Sequence, residues 1–123
     1  MTEPANLHFR PEHRLHSGRD FQRVYKRRNV VSDSLLIVYS CESDLDHPRI
    51  GLSVSRKVGN AVVRNRWKRL LREAFRLRRA DLPPGIDLVI SPRPGSTAEL
   101  AGVVESLVAL ARRAARKLAR ERR

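Results

Sequence analysis

The segment spanning residues 61–79 divides into two chemically opposite faces on a helical wheel drawn at about 100° per residue. Apolar residues gather on one side: Val63, Trp67, Leu70, Leu71, Ala74 and Leu77. Between Arg64 and Arg79 eight residues are basic, and Glu73 is the one acid. Solvated helix faces usually mix charges, because like charges one turn apart repel each other. The segment therefore predicts a helix with one face on a hydrophobic core and the other toward a polyanion.

The start of this helix adds to its cationic character. Asn60 follows Gly59 and is a favourable N-cap residue. Unpaired N–H groups at a helix N-terminus attract phosphate, and Arg56 and Lys57 precede this end of the helix. Asn65 stands among the arginines, where its amide can hydrogen-bond a base edge or a 2′-hydroxyl. We therefore expect a binding surface that is several phosphates long.

The composition supports a polyanionic partner for one small domain. The 123 residues suit a single domain, and Lys and Arg number 26 against 13 acids, which gives a net charge of +13. That excess repels itself in a compact chain, so a polyanion is its natural complement. We expect a flexible segment over residues 1–16, one α/β domain that binds a polyanion over 17–120 and a basic end over 121–123. The Arg-rich tail 112–123 is interpreted as a generic polyanion contact without a specific site.

The residue inventory argues against several other classes of protein. Cys41 is the one cysteine, so the chain cannot form an internal disulfide or thiolate metal site. His8, His13, His16 and His47 lack the helical i, i+4 pairing of a zinc motif. No signal-peptide pattern and no apolar run of about 20 residues is present. We expect a cytoplasmic protein with no membrane association, no metal site and no catalytic side chain.

The remaining periodicity predicts helices and strands in an α+β order. Ser17 and Asp20 are spaced as in a capping box, and the stripe Phe21, Val24 and Tyr25 predicts a helix ending near residues 28–29. Strands are predicted over 34–40, 49–56 and 86–90, with a turn over 41–48 and a further strand near 30–31 left open. Ser96 and Glu99 are spaced as a second capping box before a last helix.

The strand predicted over 49–56 has one face that is nearly bare. Its side chains alternate, with Ile50, Leu52 and Val54 on one face and Gly51, Ser53 and Ser55 on the other. Small side chains leave room for an extended ligand, although simple solvation is the commoner arrangement. The elements together predict a central sheet of about four strands with three helices packed on it.

The run GLSVSRKVGNAVVRNRWKRLLREAF, residues 51–75, resembles the signature of the protein subunit of bacterial ribonuclease P. The core of that signature is an Arg-Asn-Arg segment preceded by Gly-Asn-Ala, here 64–66 and 59–61. The resemblance extends to residues 14–26, 35–39 and 86–91 and covers roughly residues 14–118. The family often has Gly after the first helix where this chain has Arg28–Asn29, and Asn tolerates the left-handed conformation well.

The resemblance implies a protein that binds a catalytic RNA and promotes removal of the 5′ leader from precursor tRNA. Magnesium would be held mainly by the RNA, with no organic cofactor and no catalytic residue on the protein. It also implies a left-handed crossover between two parallel strands. The residues it assigns to the catalytic RNA are Arg56, Lys57, Asn60, Arg64, Asn65, Arg66, Lys68, Arg69 and Arg72. Those it assigns to a central cleft that receives the leader are Phe21, Tyr25, Tyr39, Ser53 and Ser55.

Three other interpretations remain open at this point. A structural ribosomal protein is also small, basic and without catalytic groups. A DNA-binding protein would use the same phosphate contacts, which carry no sequence information. Membrane-surface binding is disfavoured, because the basic face has few apolar residues to insert. The expected partners are the catalytic RNA and precursor tRNA, with no obligate protein partner.

Overall fold

The computed structural model describes residues 10–121 and contains three α-helices and a four-stranded sheet. The helices are α1 (Gly18–Arg27), α2 (Ala61–Arg78) and α3 (Leu100–Glu121). The strands are β1 (Asn29–Ser32), β2 (Leu36–Glu42), β3 (Arg49–Leu52) and β4 (Ile86–Pro92). Single 3-10 turns occupy Pro11–His13, Arg56–Val58 and Arg79–Asp81. The α+β prediction, including the strand left open near residues 30–31, is confirmed.

The sheet has the order β1-β2-β4-β3. β2 pairs antiparallel with β1 and β4, whereas β3 and β4 are parallel neighbours joined through α2. This connection is the crossover that the resemblance implies, and its left hand stays a prediction. Because α2 leaves the end of β3, the crossover places the start of the basic helix beside the outer strand.

The main hydrophobic core lies between one face of the sheet and helices α2 and α3. From α2 it receives Trp67, Leu71, Ala74 and Phe75. The helical wheel placed Val63 and Leu77 on the core face, but their side chains are 37% and 48% exposed. Phe75, which it did not place there, is fully buried. The core face is therefore rotated slightly relative to the prediction.

A smaller cluster lies on the opposite face of the sheet, beneath α1. Val24 of α1 meets Leu15, Cys41 and Val89, with Phe21 and Tyr39 packed at the margin. α1 covers part of this face, and Ile37, Tyr39 and Ser91 on the same face stay partly exposed.

Residues 10–16 pack against the domain, so its packed part begins before Ser17. His13 and Leu15 are each 7% exposed, and the Leu15 N–H donates to the Ile50 carbonyl at 2.9 Å. Residues 14 and 50 form a parallel bridge beside β3. Sequence reasoning missed this docking because Leu15 is one apolar residue without periodic neighbours. The expectations for residues 1–9 and 122–123 lie outside the described residues.

Several predicted boundaries are wrong for local reasons. β2 begins at Leu36 because the Asp33 carboxylate accepts from the Leu35 and Leu36 N–H groups and forms a turn. It continues through Cys41 to Glu42, where a turn was predicted. β3 ends at Leu52, since the chain turns into the 3-10 segment that follows Ser55.

The helix ends also differ from the predictions. Arg28, rather than Asn29, adopts the left-handed conformation after α1, with φ 59°. Asn29 is fully buried in β1, where its side chain hydrogen-bonds Ser40 and α3. Ser96 does not cap α3, because its hydroxyl donates to the Arg93 carbonyl in the preceding turn. The Ser17 cap of α1 is confirmed, since its hydroxyl accepts from the Asp20 N–H.

Candidate nucleic-acid interface

The N-terminus of α2 is a tightly built corner. The Asn60 side-chain oxygen caps the helix by accepting from the Val63 N–H at 3.0 Å. Gly59 precedes it, and a Cβ on Gly59 would lie 2.9 Å from the Val63 side chain. Arg64 Nε donates to the Gly59 carbonyl at 3.3 Å. Asn60 thus has its amide NH₂ left for a ligand, while Arg64 is oriented by its own helix start.

Most of the predicted RNA contacts of α2 and its leading turn are exposed. Besides Arg64, this set contains six cations. Within residues 10–121, no carboxylate lies within ion-pair distance of any of the six. Asn65 is exposed beside them, and Lys68 is partly buried. Unpaired cations on one surface are suited to phosphate. The six are Arg56, Lys57, Arg66, Lys68, Arg69 and Arg72.

The C-terminal part of α2 differs, because its cations have acidic partners. Arg76 forms two hydrogen bonds to Glu73, at 3.0 and 2.5 Å, and lowers the pKa of that carboxyl. Arg78 Nε donates to Asp81 at 2.6 Å and lowers the pKa of Asp81. The α2 cations without an acidic partner therefore lie in the first two-thirds of the helix. The helical wheel did not predict this division.

A cavity of about 200 Å³ joins the basic helix to the predicted cleft. Lys68 and Arg72 of α2 line it together with Phe21 of α1 and Gly51 of β3. The Phe21 ring lies directly over Gly51, where an added Cβ would be 2.5 Å from the ring. The bare face predicted for β3 is therefore partly filled by Phe21. Two groups of residues that the sequence analysis treated separately, cationic and aromatic, meet in this cavity.

Of the other predicted cleft residues, Tyr25 and Tyr39 lie on the face of the sheet that α1 covers only in part. Tyr25 and Tyr39 form a T-shaped pair with ring centroids 4.9 Å apart, and Tyr25 is 38% exposed. The Ser53 N–H extends the β3–β4 ladder by donating to the Ile90 carbonyl at 3.0 Å. Ser55 is not on the strand face as predicted, because β3 ends at Leu52 and Ser55 begins the turn that contains Arg56.

Sequence reasoning missed the charged cluster that fixes α1 above the sheet. Asp87 on β4 is fully buried, and it accepts from Arg49 Nε at 3.0 Å, from a terminal nitrogen of Arg49 at 2.7 Å and from Arg23 of α1. A buried charge is tolerated only when it is paired and hydrogen-bonded, and Asp87 raises the pKa of both arginines. The sequence feature that could have revealed this cluster is Asp87 itself, an acidic residue within the otherwise apolar strand IDLVI. This cluster sets the position of Phe21 and Tyr25.

The arrangement is suited to binding a nucleic acid. Across residues 10–121, no group of three or more His, Cys, Asp or Glu side chains is placed to hold a metal ion. None of the helices in this range is long and apolar enough to cross a membrane. The surface offers unneutralised cations beside the partly exposed ring of Phe21, and cations with aromatic rings are the combination that binds single-stranded RNA.

Comparison with known proteins identifies the family. The sequence model of the family described as Ribonuclease P matches residues 9–115. The chain belongs to the bacterial ribonuclease P protein family. A "Ribonuclease P protein component" from Exiguobacterium is 40% identical over 103 residues, which cover 84% of this chain and 90% of the relative. One from Brevibacillus brevis is 43% identical over 104 residues, 83% of this chain and 82% of the relative.

Solved structures from the ribonuclease P protein family share the fold. The RNase P protein of Thermotoga maritima superimposes with a TM-score of 0.74 at 32% identity, over 81% of this chain and 96% of that one. The Staphylococcus aureus protein gives a TM-score of 0.72 at 35% identity, over 83% and 94%. The resemblance recognised in residues 51–75 is thereby confirmed, and nothing in these matches favours a ribosomal protein. The assignment of individual residues to RNA stays a prediction.

Proposed function

We propose that this chain is the protein component of ribonuclease P, which binds the catalytic RNA through α2 and the precursor tRNA leader through the cleft beside α1. The observation that carries the proposal is the shared cavity, in which Lys68 and Arg72 stand beside Phe21. A single RNA strand there would meet cations and an aromatic face together. The family match supports the same function.

The proposed role of the protein is positioning and charge neutralisation. Stacking a splayed base on an aromatic ring contributes about 1–3 kcal/mol, and each phosphate held by arginine lowers repulsion between the two RNAs. We assign the phosphodiester hydrolysis to the RNA subunit with magnesium. In this proposal the chain's own residues bind and orient the leader. A cytoplasmic location is part of the proposal, supported by the family's role.

The test is reconstitution. The purified protein is added to a bacterial ribonuclease P RNA with precursor tRNA at low magnesium concentration, and leader release is followed. We expect faster cleavage and tighter binding of precursor than of mature tRNA. A protein that binds both RNAs without accelerating leader release would contradict the proposal and favour a structural RNA-binding role. Equal affinity for a DNA duplex would favour the DNA-binding alternative.

A further inference from the structure

A second basic groove lies at the opposite edge of the sheet from the start of α2. Four cations of α3 follow the helical spacing i, i+3, i+4, i+7 and line a cavity of about 260 Å³ with Val30 and Val31 of β1. They are Arg113, Arg116, Lys117 and Arg120. We call this cavity the α3–β1 groove.

Two of the four cations are held in place by β1. Lys117 Nζ donates to the Val30 carbonyl at 3.2 Å, and Arg113 donates to the Ser32 carbonyl at 3.3 Å. α3 is tied to the same strand by Asn29, whose side chain donates to the Ala114 carbonyl at 3.2 Å. The groove is therefore built from two elements that are fixed to each other.

The charges of the groove have no acidic counterpart in the part of the chain that the structure describes. No carboxylate lies within ion-pair distance of the four side chains. Asp33 lies near Arg113, but its carboxylate already accepts from Ser106 and from two backbone N–H groups. Glu121 is paired with Arg27 of α1 at 3.0 Å. An external anion is thus the partner that this groove lacks.

The groove borders the sheet face that carries the aromatic pair, and Val30 is the residue common to both. Val30 is directly opposite Tyr39 in the β1–β2 register, so their side chains share one face of the sheet. Val30 is 37% exposed and also lines the groove. Because α3 packs on the other face of the sheet, a strand of RNA that passes over Tyr39 would turn around the β1 edge at Val30 to reach the α3 cations. The groove has no aromatic lining residue, so it offers contacts to phosphate rather than to bases.

We propose that the α3–β1 groove binds backbone phosphates of the leader beyond the nucleotides at the aromatic pair. The inference rests on the proposed function and extends it, because the leader would be held at two places on the protein. Binding in the groove would be independent of sequence and would favour precursors with long leaders.

The test compares leader lengths in the reconstituted holoenzyme. Arg116 and Arg120 are exposed, and the α3 side chains that hydrogen-bond to β1 are those of Arg113 and Lys117, so R116Q/R120Q should remove charge and leave the fold intact. We expect about tenfold weaker binding of a precursor with a leader of about 16 nucleotides, and unchanged binding with one of about 4 nucleotides. The salt dependence for the long leader should flatten by about 1.4 units of log–log slope.

Two control variants accompany this measurement. R19Q/K26Q removes the same charge from the exposed side of α1 that faces away from the sheet, and should leave the preference for long leaders unchanged. R116K/R120K keeps the charge and should keep that preference. Equal losses for both leader lengths, or weaker binding of the catalytic RNA alone, would overturn the inference, as would no loss at all. If the wild-type protein fails to stimulate cleavage, the proposed function itself fails.

Discussion

At the scale of single residues, the position of Phe21 depends on the absence of a side chain at Gly51. The ring occupies the volume that a Cβ would need, and this brings it beside Lys68 and Arg72. The alternation of residues 49–56 was enough to predict a strand face with small side chains. It could not predict that Phe21 fills part of this face, because Phe21 belongs to another element. The turn after α1 gives a second example. The conformational preference of Asn favours Asn29 for the left-handed position, but Asn29 is buried in β1 and Arg28 takes that position instead.

Gly51→Ala should displace Phe21 and weaken leader binding. The new methyl group would overlap the ring, and an overpacked site costs about 1–3 kcal/mol. We expect at least about fivefold weaker binding of precursor tRNA, with mature tRNA little affected. Gly18→Ala is the matched control, since nothing lies within 4 Å of its Cβ position. Equal effects of the two substitutions would remove Phe21 from the leader site.

At the scale of elements, α2 was the most predictable part of the fold, because its periodicity is strong and its caps are local. The rotation of its core face could not be predicted, since neighbours in α3 and the sheet decide which apolar residues are covered. The position of α1 on the sheet was still harder to predict from the sequence. It depends on Asp87, Arg23 and Arg49, which are far apart in the sequence and meet only when β3 and β4 pair.

Asp87→Asn should destabilise the fold by about 1.5–3 kcal/mol, because the charge-assisted hydrogen bonds from Arg23 and Arg49 would be lost while both arginines keep access to solvent. The free energy of unfolding in urea measures this effect. Asp44→Asn is the control, as Asp44 is exposed in the loop between β2 and β3 and should change stability by less than about 0.5 kcal/mol. A similarly small change for Asp87→Asn would show that the cluster does not hold α1.

The division of α2 into unpaired and paired cations gives a second prediction for this element. Arg66→Ala with Arg69→Ala should flatten the salt dependence of catalytic-RNA binding by about two units of log–log slope. Arg76→Ala with Arg78→Ala removes the same formal charge from side chains already bound to Glu73 and Asp81, so the slope should change far less. Indistinguishable slopes for the two double variants would contradict the confined surface.

At the scale of the whole molecule, the net charge of +13 predicted a polyanionic partner, and the family match agrees with it. Composition alone could not show where the charge is concentrated. Among the described residues, the structure shows one cluster of cations without acidic partners on α2 and another in the α3–β1 groove, with the aromatic pair Tyr25 and Tyr39 on the sheet face. The order of the strands could not be predicted either, because it depends on long-range pairing that leaves no local pattern.

The docking of residues 10–16 makes stability depend on pH. Burial, and then the charge of Arg79, lowers the pKa of His13 below its usual 6.5. The unfolded chain then binds more protons, so this group removes stability as pH falls through about 6.5. Asp46 raises the pKa of His47, and His47 therefore contributes stability below that pH which is lost as pH rises through its folded pKa.

Unfolding in urea at pH 7.5 and 5.5 would test both signs. His13→Leu should reduce the loss of stability on acidification, whereas His47→Gln should increase it. Changes in the same direction for the two variants would show that the two rings do not titrate as their surroundings indicate.

The contacts of Lys117 and Arg113 with β1 have a consequence for behaviour at high concentration. They occupy the outward carbonyls of one edge strand, while the Leu15 backbone occupies that of Ile50 on the other. An open strand edge is a template for strands of other molecules and leads to aggregation. Here three outward carbonyls of the two edge strands already accept hydrogen bonds from within the chain, which leaves fewer edge groups for the strands of other copies to pair with.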